Sequence, residues 1–518
     1  MTRTWKRARL AALAATACCL AFAGQAVAAP GGNSWLSAGG DRENTRSQSS
    51  ESKISPATVG ELTPTWAFST SGDVSATPAV DAQRVYVPDG AGNLYAVDRK
   101  TGELVWQSSI PAYTGVPGDM VSATPAVADG KLVVGIEGPY GSGGRVLAVD
   151  KDTGELLWST QVDTHPAAVI TQSATVFDGV VYVGVSSIEE LLAALVPGYD
   201  CCSFRGSMNA LDLDTGQVLW TTYTAPEGYP GNAVSGSSPA VDVKRGSVYI
   251  ATGNNYDVPD DVLACVAAAG DDDEAVRACL PADDLFDSVV ALDRMTGAVK
   301  WATKTLPYDA WNADCIPFFG DGSNCPDPAG PGHGFAQAPA LFTVKSPGAP
   351  LRELVGAGST SGEYWSLDPD TGQVVWVTDS GPGGIEGGLQ LGSAVDEDRV
   401  YTANANSDAV QWTSPDGTTG TSGFWSGLDA ATGEILWQTK AANGGSTSGP
   451  VTTANGVVFG CSLDPDGYMY ALDASTGQVL WDFASGPCVS GAAISKGSVY
   501  WGAGLGTPNN TLYAFGLG

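Results

Sequence analysis

Short apolar segments alternate with turn-forming residues along most of the chain, and one arrangement of the two recurs. An apolar segment ends at Asp, two variable residues and Thr-Gly follow, and a second apolar segment ends at Trp. Each copy predicts a β-hairpin, because two short apolar runs flank a turn sequence. Seven copies are complete: AVDRKTGELVW, AVDKDTGELLW, ALDLDTGQVLW, ALDRMTGAVKW, SLDPDTGQVVW, GLDAATGEILW and ALDASTGQVLW.

The residues within each copy suit a tight turn. The Asp side chain can accept hydrogen bonds from the backbone N–H groups of the turn, and Gly can adopt a positive φ without a Cβ clash. A single hairpin is only marginally stable in water, so the copies must bury one another. Radial stacking of such repeats is typical of a β-propeller.

The two ends of the chain predict how the ring closes. Trp66, in LTPTWAF, gives an eighth tryptophan before the first complete copy. The last segment, KGSVYWGAGLGTPNNTLYAFG, supplies inner strands with no Trp-bearing partner after them. We therefore predict an all-β, eight-bladed β-propeller with tryptophan-docking repeats, whose last blade is closed by the N-terminal strand.

The spacing of the tryptophans locates the insertions. Successive intervals from Trp66 to Trp481 are 40, 52, 62, 81, 75, 61 and 44 residues. Four strands with tight turns fit in the shortest interval, so the third to the sixth carry extra loops. Loops of such length are usually functional.

The first 28 residues form a different unit. Four basic residues lie within the first nine positions, residues 10–23 are apolar, and Ala-Val-Ala precedes position 29. This pattern predicts a secretory signal peptide at residues 1–28 and a propeller domain at residues 29–518, exported to the periplasm or the extracellular space. Cys18 raises the alternative of a lipid anchor, but Ala15 stands where a lipoprotein site has a large aliphatic residue. No later run is long and apolar enough to span a bilayer.

The charge of the chain narrows the choice of partner. The formal net charge is −31, and loss of four basic and no acidic residues with the signal peptide makes it −35. Such a surface repels phosphate backbones and anionic lipids, so we expect no nucleic-acid partner. A neutral or polyol substrate is easier to accommodate. Acidity alone is also explained by the solubility of a secreted protein.

Eight cysteines remain after removal of the signal peptide. An even number in an oxidising compartment indicates disulfides. A bond between adjacent cysteines closes a strained ring, so cross-links from Cys201 and Cys202 to distant cysteines stay an alternative. Proximity predicts these pairs: Cys265 with Cys279, Cys315 with Cys325, Cys461 with Cys488, and Cys201 with Cys202.

Several longer motifs carry a resemblance to a known family. They are WLSAGGDRENTRSQ, TQSATVFDGVVYVGVSSIEE, YIATGNNY, GYDCCSFRGSMNALD and YDAWNADC with a later NCPD. Together with the repeat, the chain resembles the pyrroloquinoline quinone (PQQ) dependent alcohol dehydrogenases, most of all their polyvinyl-alcohol dehydrogenase branch. The repeat alone is also similar to non-catalytic propellers, including a bacterial outer-membrane assembly lipoprotein.

The resemblance implies a metal site. The metal-ligating Glu of the family falls on Glu189, and its metal-ligating Asn falls on Asn254. A carboxylate and an amide oxygen are the hard donors that Ca2+ prefers. Asp314 matches a position that ligates the larger metal of lanthanide-using relatives. The alternative is that Glu189 and Asn254 only satisfy N–H groups at strand ends.

The resemblance also implies contacts to the quinone. Family members place a quinone-contacting Thr and Ser where this chain has Thr171 and Ser186. The polyvinyl-alcohol branch implies that Cys201, Cys202 and Arg205 face the cofactor, with the disulfide against one quinone face.

Two departures affect the centre of the implied site. The Trp that stacks under the quinone is expected 18 residues before Asn254, where the chain has Gly236. The catalytic Asp of the family falls on Asn312, and an amide cannot take a proton. The nearby carboxylates Asp309 and Asp314 are therefore the remaining candidates for the catalytic base.

Two further departures lie in later segments. Thr360, in GAGSTSGEYW, stands where a Lys or Arg is expected near the quinone. His333, in GPGHGF, stands where the polyvinyl-alcohol branch often has acidic residues. A histidine could act as a base in a rebuilt site, or it could be a loop imidazole without a role.

The resemblance implies oxidation of an alcohol or polyol, including a polymeric one, by hydride transfer to PQQ with Ca2+ as Lewis acid. No Cys-x-x-Cys-His motif occurs, so we expect no covalent haem and an external electron acceptor. The alternative is a catalytically silent propeller that binds an extracellular polysaccharide, polymer or protein. Tryptophans outside the repeat, such as Trp311, could then form a stacking platform.

Overall fold

The structure is a computed structural model that describes residues 34–345, 348, 350–384, 387–464, 466–505 and 510–518. The predicted signal peptide, with Cys18, lies outside the described residues. The strands are β1 (Leu62–Ser69), β2 (Ala79–Val80), β3 (Arg84–Pro88), β4 (Asn93–Asp98), β5 (Leu104–Ser109), β6 (Ala126–Ala128), β7 (Lys131–Ile136), β8 (Gly144–Asp150), β9 (Leu156–Asp163), β10 (Ala168–Val169), β11 (Thr175–Phe177), β12 (Val180–Ser187), β13 (Ser207–Asp212), β14 (Val218–Tyr223), β15 (Ala240–Asp242), β16 (Ser247–Ala251), β17 (Ser288–Asp293), β18 (Val299–Lys304), β19 (Ala340–Val344), β20 (Arg352–Gly358), β21 (Glu363–Leu367), β22 (Val374–Asp379), β23 (Ala394–Val395), β24 (Arg399–Asn404), β25 (Trp412–Thr413), β26 (Thr419–Gly420), β27 (Phe424–Asp429), β28 (Ile435–Lys440), β29 (Thr452–Ala454), β30 (Val457–Cys461), β31 (Tyr468–Asp473), β32 (Val479–Ala484), β33 (Ala493–Ser495), β34 (Ser498–Ala503) and β35 (Thr511–Leu517).

Short helices interrupt the strands. They are α1 (Ile110–Thr114), α2 (Glu189–Leu195), α3 (Asp260–Ala269) and α4 (Asp273–Arg277), with 3-10 turns at Val59–Glu61 and Ala313–Cys315. In the part of the chain that the structure describes, no helix combines the length and hydropathy that a membrane span requires.

Eight antiparallel sheets form the blades of the predicted propeller. Numbered from the inner to the outer strand, they are blade 1 (β2 to β5), blade 2 (β6 to β9), blade 3 (β11 to β14, with β10 beside β12), blade 4 (β15 to β18), blade 5 (β19 to β22), blade 6 (β23, β24, β27, β28), blade 7 (β29 to β32) and blade 8 (β33, β34, β35, β1). In blade 8, β1 pairs with β35 from Leu62 opposite Leu517 to Ser69 opposite Thr511. The predicted blade count and the closure by the N-terminal strand are confirmed.

The repeat docks each blade onto the next. The eight indole Nε1 groups donate to backbone carbonyls of the following blade at 2.9 to 3.2 Å. The seam between blades 2 and 3 shows why the motif needs Gly. Gly216 has φ +71°, and a Cβ there would lie 2.6 Å from carbons of the Trp158 ring. Positive φ and the indole ring therefore both exclude a side chain.

The turn at the same seam is held by the Asp of the motif. Asp212 Oδ1 accepts the backbone N–H of Thr215 at 2.8 Å and its hydroxyl at 2.7 Å. From the neighbouring blade, the Thr160 hydroxyl donates to the Gly216 carbonyl at 2.7 Å. Between the sheets, aliphatic side chains interlock, as Val146 of blade 2 and Val183 of blade 3 do in one buried cluster.

Residues 35–48, which we call the floor segment, cross one end of the central channel. Backbone hydrogen bonds join this segment to the inner strands of six blades. The Gln48 side chain donates to the Ile494 carbonyl of blade 8 at 3.0 Å, and the Arg42 guanidinium lies 5.5 Å from the centre of the Phe177 ring of blade 3. The backbone pairs are Trp35 with Val80, Leu36 with Val127, Arg42 with Val241, Glu43 with Leu341, Thr45 with Val395, and Arg46 and Gln48 with Thr453.

The floor segment thus contacts the inner strand of every blade. It contacts each inner strand towards the end at which the chain turns back into the second strand of the blade. The floor segment therefore closes this face of the ring. The motif WLSAGGDRENTRSQ, which is this segment, therefore forms the base of the channel.

All four predicted disulfides are present. They join Cys265 to Cys279, Cys315 to Cys325, Cys461 to Cys488, and Cys201 to its neighbour Cys202. The bond from Cys315 to Cys325 closes the loop that follows the segment YDAWNADC.

Candidate functional site

A pocket of about 230 Å3 opens at the face opposite the floor segment. Its residues lie where second strands end and the next inner strands begin, in blades 3 to 6. Polar side chains, three aromatic rings and several glycines line it. They are Ser186, Glu190, Ser235, Asn254 and Thr360, the rings of Tyr256, Trp311 and Phe335, and Gly253, Gly332, Gly334 and Gly387.

Asn254 is fixed in one orientation in the pocket wall. Its Nδ2 donates to the carbonyls of Asn255 and Trp311, both at 2.7 Å, and its side chain is nearly buried. With both N–H groups used, Oδ1 is left as the free end of the amide. Within the described part of the chain, no donor reaches this oxygen. Asn254 therefore offers the pocket a hard oxygen, as the sequence predicted for a metal ligand.

Glu189, the predicted metal carboxylate, has another set of contacts. Its fully buried side chain accepts the hydroxyl of Tyr199 at 2.9 Å, the N–H of Ser203 at 3.0 Å on both oxygens, and the N–H of Phe204 at 2.8 Å. It is not among the residues that line the pocket. These contacts fix the turn after the Cys201–Cys202 pair to the start of α2.

Glu190 is the carboxylate that lines the pocket. Burial, and next the charge of Asp309, raise the pKa of Glu190 to about 7. No hydrogen bond or ion pair from the described residues reaches its oxygens. Glu190 was not predicted from the sequence, because two adjacent glutamates at the start of a helix cannot be told apart by spacing.

Of the predicted quinone contacts, Ser186 lines the pocket. Thr171, Cys201 and Cys202 lie outside that lining, and Cys202 packs against the core between blades 2 and 3. Arg205 is also outside it.

The Arg205 side chain is held away from the pocket lining. Its Nε donates to the Ala225 carbonyl at 3.2 Å, and the guanidinium lies 4.2 Å from the centre of the Tyr223 ring. Tyr223 is exposed at the end of the outer strand β14.

Asp309 is fully buried behind the pocket wall. It accepts the N–H of Gly332 at 2.9 Å and of His333 at 2.7 Å, and burial raises its pKa. Within the described residues, no hydrogen-bond donor reaches either oxygen of Asp287. Burial, and next the charge of Asp309, raise the pKa of the Asp287 carboxyl well above 3.8.

Asn312 and Asp314 form a local turn instead of a pocket wall. Asn312 Nδ2 donates to the carbonyls of Tyr256 and Asn324, and its Oδ1 accepts the N–H of Asp314 at 3.0 Å. Asp314 accepts the backbone N–H groups of Gly322 and Asn324 at 2.9 and 2.8 Å. Both side chains are buried, and their oxygens are occupied by these bonds.

The backbone around Gly236 leaves no room for the Trp that was expected at this position. The φ of Gly236 is +85°, and a Cβ would lie 2.6 Å from the Cα of Gln337 and closer still to the Ala336 carbonyl. The backbone before β19 fills the space of a side chain there. Thr360 lines the pocket with its hydroxyl bonded to the Gly334 carbonyl at 3.1 Å. The backbone N–H of half-buried His333 donates to Asp309, and its carbonyl accepts the Ser359 hydroxyl.

The donor set fits a hard cation in part. Glu190 and Asn254 present oxygens without protein partners to one pocket, which suits Ca2+. No group of three His, Cys, Asp or Glu side chains among the described residues is arranged to hold a metal. A cation here would therefore need further oxygen ligands from water or from a bound cofactor.

The described pocket lining offers aromatic rings to a flat ligand but no cation. Trp311, Tyr256 and Phe335 lie in this lining together with several glycines. Glu190 is the one charged side chain in this lining, so nothing in the described wall balances the carboxylates of a quinone such as PQQ.

Comparisons with known proteins agree with the geometry of the fold. A family model described as outer membrane protein assembly factor BamB matches residues 44–303 and 361–500. Among solved structures, quinohemoprotein alcohol dehydrogenase from Comamonas testosteroni has a TM-score of 0.69 at 20% identity, covering 95% of this chain and 81% of that one. A europium-containing methanol dehydrogenase has a TM-score of 0.65 at 18% identity, covering 94% and 98%. At these identities the structures show the fold.

Curated relatives are closer in sequence. Polyvinylalcohol dehydrogenase of Sphingopyxis sp. (strain 113P3) is 30% identical over 78% of this chain and 58% of the relative. Polyvinylalcohol dehydrogenase of Pseudomonas sp is 29% identical over 67% and 51%. The chain thus spans little more than half the length of these relatives. Since the family model matches most of the chain, the protein belongs to this family of β-propeller repeat proteins, with quinoprotein alcohol dehydrogenases, above all polyvinyl-alcohol dehydrogenases, among its relatives.

Proposed function

We propose that the protein is a secreted quinoprotein that oxidises an alcohol or polyol, including a polymeric one, in the pocket of blades 3 to 6. One observation carries the proposal. Glu190 and Asn254 line the same pocket beside the aromatic rings, and no donor from the residues that the structure describes reaches the Glu190 carboxylate or the Asn254 Oδ1. The two polyvinylalcohol dehydrogenases among the relatives support the choice of substrate class.

Glu190 and Asn254 would hold the cation in this proposal, and Ser186 and Trp311 would contact the quinone. When bound, PQQ with Ca2+ supplies a hydride acceptor and a Lewis acid. The carbonyls of Asn255 and Trp311 keep the Asn254 amide turned with its oxygen to the pocket.

Asp309 is our candidate for the acceptor of the alcohol proton. Its neighbours Trp311 and Gly332 line the pocket, and burial raises its pKa towards the range in which a carboxylate can act as a base. The backbone N–H groups of Gly332 and His333 donate to Asp309 and stabilise its charged form. Asn312 and Asp314 have no part in this step, since their oxygens are used within the turn.

A test uses the purified protein with PQQ and Ca2+, followed by dye-linked oxidation of secondary alcohols, polyols and polyvinyl alcohol. We expect retention of the quinone absorbance after desalting, and turnover that requires both additions and an external electron acceptor. A silent propeller would retain no quinone and reduce no dye. Matched Glu190→Gln protein should lose turnover, whereas unchanged turnover would refute the assignment of the pocket.

A further inference from the structure

The pocket face carries large apolar side chains that the fold leaves exposed. Leu191 and Leu195 lie one turn apart on α2 and are 50% and 57% exposed, and Val196 at the end of this helix is exposed too. In the loop between blades 4 and 5, Phe318 is fully exposed and Phe319 is about half exposed. We call these five residues the apolar ridge.

Two contacts join this loop to α2. The Asn324 side chain donates to the Ala193 carbonyl at 2.9 Å. A Cβ on Gly320, the residue after Phe319, would lie 3.1 Å from the Cα of Ala194. The exposed side chains of the loop and of α2 therefore belong to one surface.

The exposed position of Phe318 is imposed by the loop. Its φ is +68°, in the left-handed region that a bulky residue rarely adopts. The disulfide from Cys315 to Cys325 closes the loop around it. A fully exposed ring in this conformation adds no packing within the described chain, so a contact with another molecule accounts for it better than the fold does.

The ridge adjoins the pocket without being part of it. Glu190, which precedes Leu191 in α2, lines the pocket, and so does Trp311 at the start of the loop. None of the five ridge residues is in that lining. A molecule bound on the ridge would therefore lie beside the opening of the pocket.

Residues 257–284, which we call the acidic lobe, lie on the same face. They contain nine acidic residues and one basic residue, Arg277. The lobe follows β16, the second strand of blade 4, and packs on Tyr308 and Ala310, which lead into Trp311. Seven of its acidic side chains are exposed, namely Asp260, Asp261, Asp271, Asp272, Asp273, Glu274 and Asp283.

Charge determines which kind of molecule this face can attract. The two segments that carry the ridge, residues 186–200 and 308–334, contain no Lys or Arg, and the formal net charge of the chain is −31. Nucleic acid and anionic lipid are repelled by such a surface, whereas a positively charged protein is attracted. An apolar centre with a charged surround is also the usual composition of a protein–protein interface.

We propose that the apolar ridge and the acidic lobe form the docking surface for a basic protein, whose contact area has an apolar centre surrounded by Lys and Arg. The rings of Phe318 and Phe319 supply the apolar contact, and the lobe supplies the charge that attracts the partner. Because the loop is closed by a disulfide, little conformational freedom is lost on binding. The surface lies outside the pocket lining, so the inference does not depend on the proposed function.

The experiment measures binding by isothermal titration calorimetry, with the purified protein free of PQQ and Ca2+ and with a basic cytochrome c as the probe. Acetylation of the probe's lysines removes its positive charge and leaves its apolar surface. We expect the affinity to fall at least about tenfold on acetylation, or when the ionic strength rises from about 0.02 M to about 0.2 M.

Two double variants test the two parts of the surface. Phe318→Ser/Phe319→Ser should lose at least about tenfold in affinity without a fall in Tm, because the rings are exposed. The control Met295→Ser removes a side chain that is 65% exposed in a turn on the opposite face, and should bind normally.

Asp271→Lys/Asp283→Lys should weaken binding at low ionic strength. Its control, Glu397→Lys/Asp398→Lys, makes the same change of charge in an exposed turn on the face of the floor segment and should have far less effect. An equal loss in both would show attraction by net charge alone and would overturn the docking surface.

The other outcomes also decide the proposal. A fall in Tm of Phe318→Ser/Phe319→Ser would show that the rings pack within the chain, and absence of probe binding would refute the docking site. Polyvinyl alcohol bound through these rings in place of the probe would make the ridge a polymer site. Self-association that this variant abolishes would make it an interface between copies of the chain, and each of these results would overturn the proposal while leaving the proposed function to its own test.

Discussion

The seams between blades and the pocket use their residues in opposite ways. At seven seams the Trp of one blade donates to the Asp-x-x-Thr-Gly turn of the next, and at the eighth Trp481 donates to the Leu62 carbonyl at the start of β1. One kind of contact therefore explains eight positions. At the pocket, two adjacent glutamates differ completely. Glu189 accepts hydrogen bonds on both oxygens and lies outside the lining, whereas Glu190 lines the pocket and has no hydrogen-bond partner among the described residues. A contact that recurs in every repeat can be inferred from the sequence. Which residues line a pocket that occurs once depends on the direction of each side chain, and the sequence does not show that direction.

The largest expected effect separates the two glutamates. Glu190→Gln removes the negative charge that would hold the cation, and we expect kcat/KM to fall at least about 1000-fold, or about 4 kcal/mol. The Tm of the ligand-free protein should not fall, because none of the described residues forms a hydrogen bond or ion pair with this carboxylate. Dye-linked kinetics and Ca2+ titration provide the measurement. An equal loss of Ca2+ affinity in Glu189→Gln would reverse our assignment.

The next effect tests a seam. Trp158→Ala removes a ring that fills the gap beside Gly216, and the expected loss is about 3 kcal/mol in the free energy of unfolding. Urea denaturation followed by circular dichroism measures this loss. Trp311→Ala is the matched control, because that ring lines the pocket and should change ligand affinity far more than stability. Equal destabilisation by both changes would remove the distinction between seam and pocket.

Glu189→Gln should weaken the fold by about 2 kcal/mol, since the new amide N–H would face donors from Ser203 or Phe204. The folded variant should keep its affinity for Ca2+. Thermal unfolding in parallel with Glu190→Gln checks the difference. A variant as stable as the unaltered chain would show that these hydrogen bonds are not important.

The smallest effect concerns pH. Hydrogen bonds from the Thr215 side chain and backbone hold the pKa of Asp212 below 3.8, so its contribution is present above that pH and is lost as pH falls through the lowered pKa. Asp212→Ala should therefore lower the Tm at pH 7 and have little effect near pH 2.

Asp287 has the opposite pH dependence, because burial raises its pKa and its carboxyl costs stability as pH rises above 3.8. The difference in Tm between Asp287→Asn and the unaltered chain should therefore increase as the pH rises. The same pH dependence of this Tm difference in Asp287→Asn and Asp212→Ala would contradict the prediction.

Sequence alone could predict the ring, its split blade and the disulfides. The Asp of the repeat binds the backbone of its own turn, and the Trp binds the turn of the next blade. Because every copy makes the same contacts, the spacing of these residues is enough to predict them. Of the residues that the sequence singled out, Ser186 and Asn254 line the pocket, and their roles there stay predictions. Asn312 and Asp314 match a catalytic motif, yet the turn that ends at Cys325 uses their side chains. Arg46 lies in the motif WLSAGGDRENTRSQ, but no local pattern shows that its side chain is buried.

The floor segment has a consequence for the order in which the molecule is made. Residues 35–48 leave the ribosome before any blade, yet Gln48 bonds Ile494, which lies 446 positions later. Contacts between such distant residues form slowly, because a long loop must close first. The base of the channel can be assembled only after blade 8 has been synthesised, so a nascent or truncated chain should keep this segment accessible to proteases until the ring is complete.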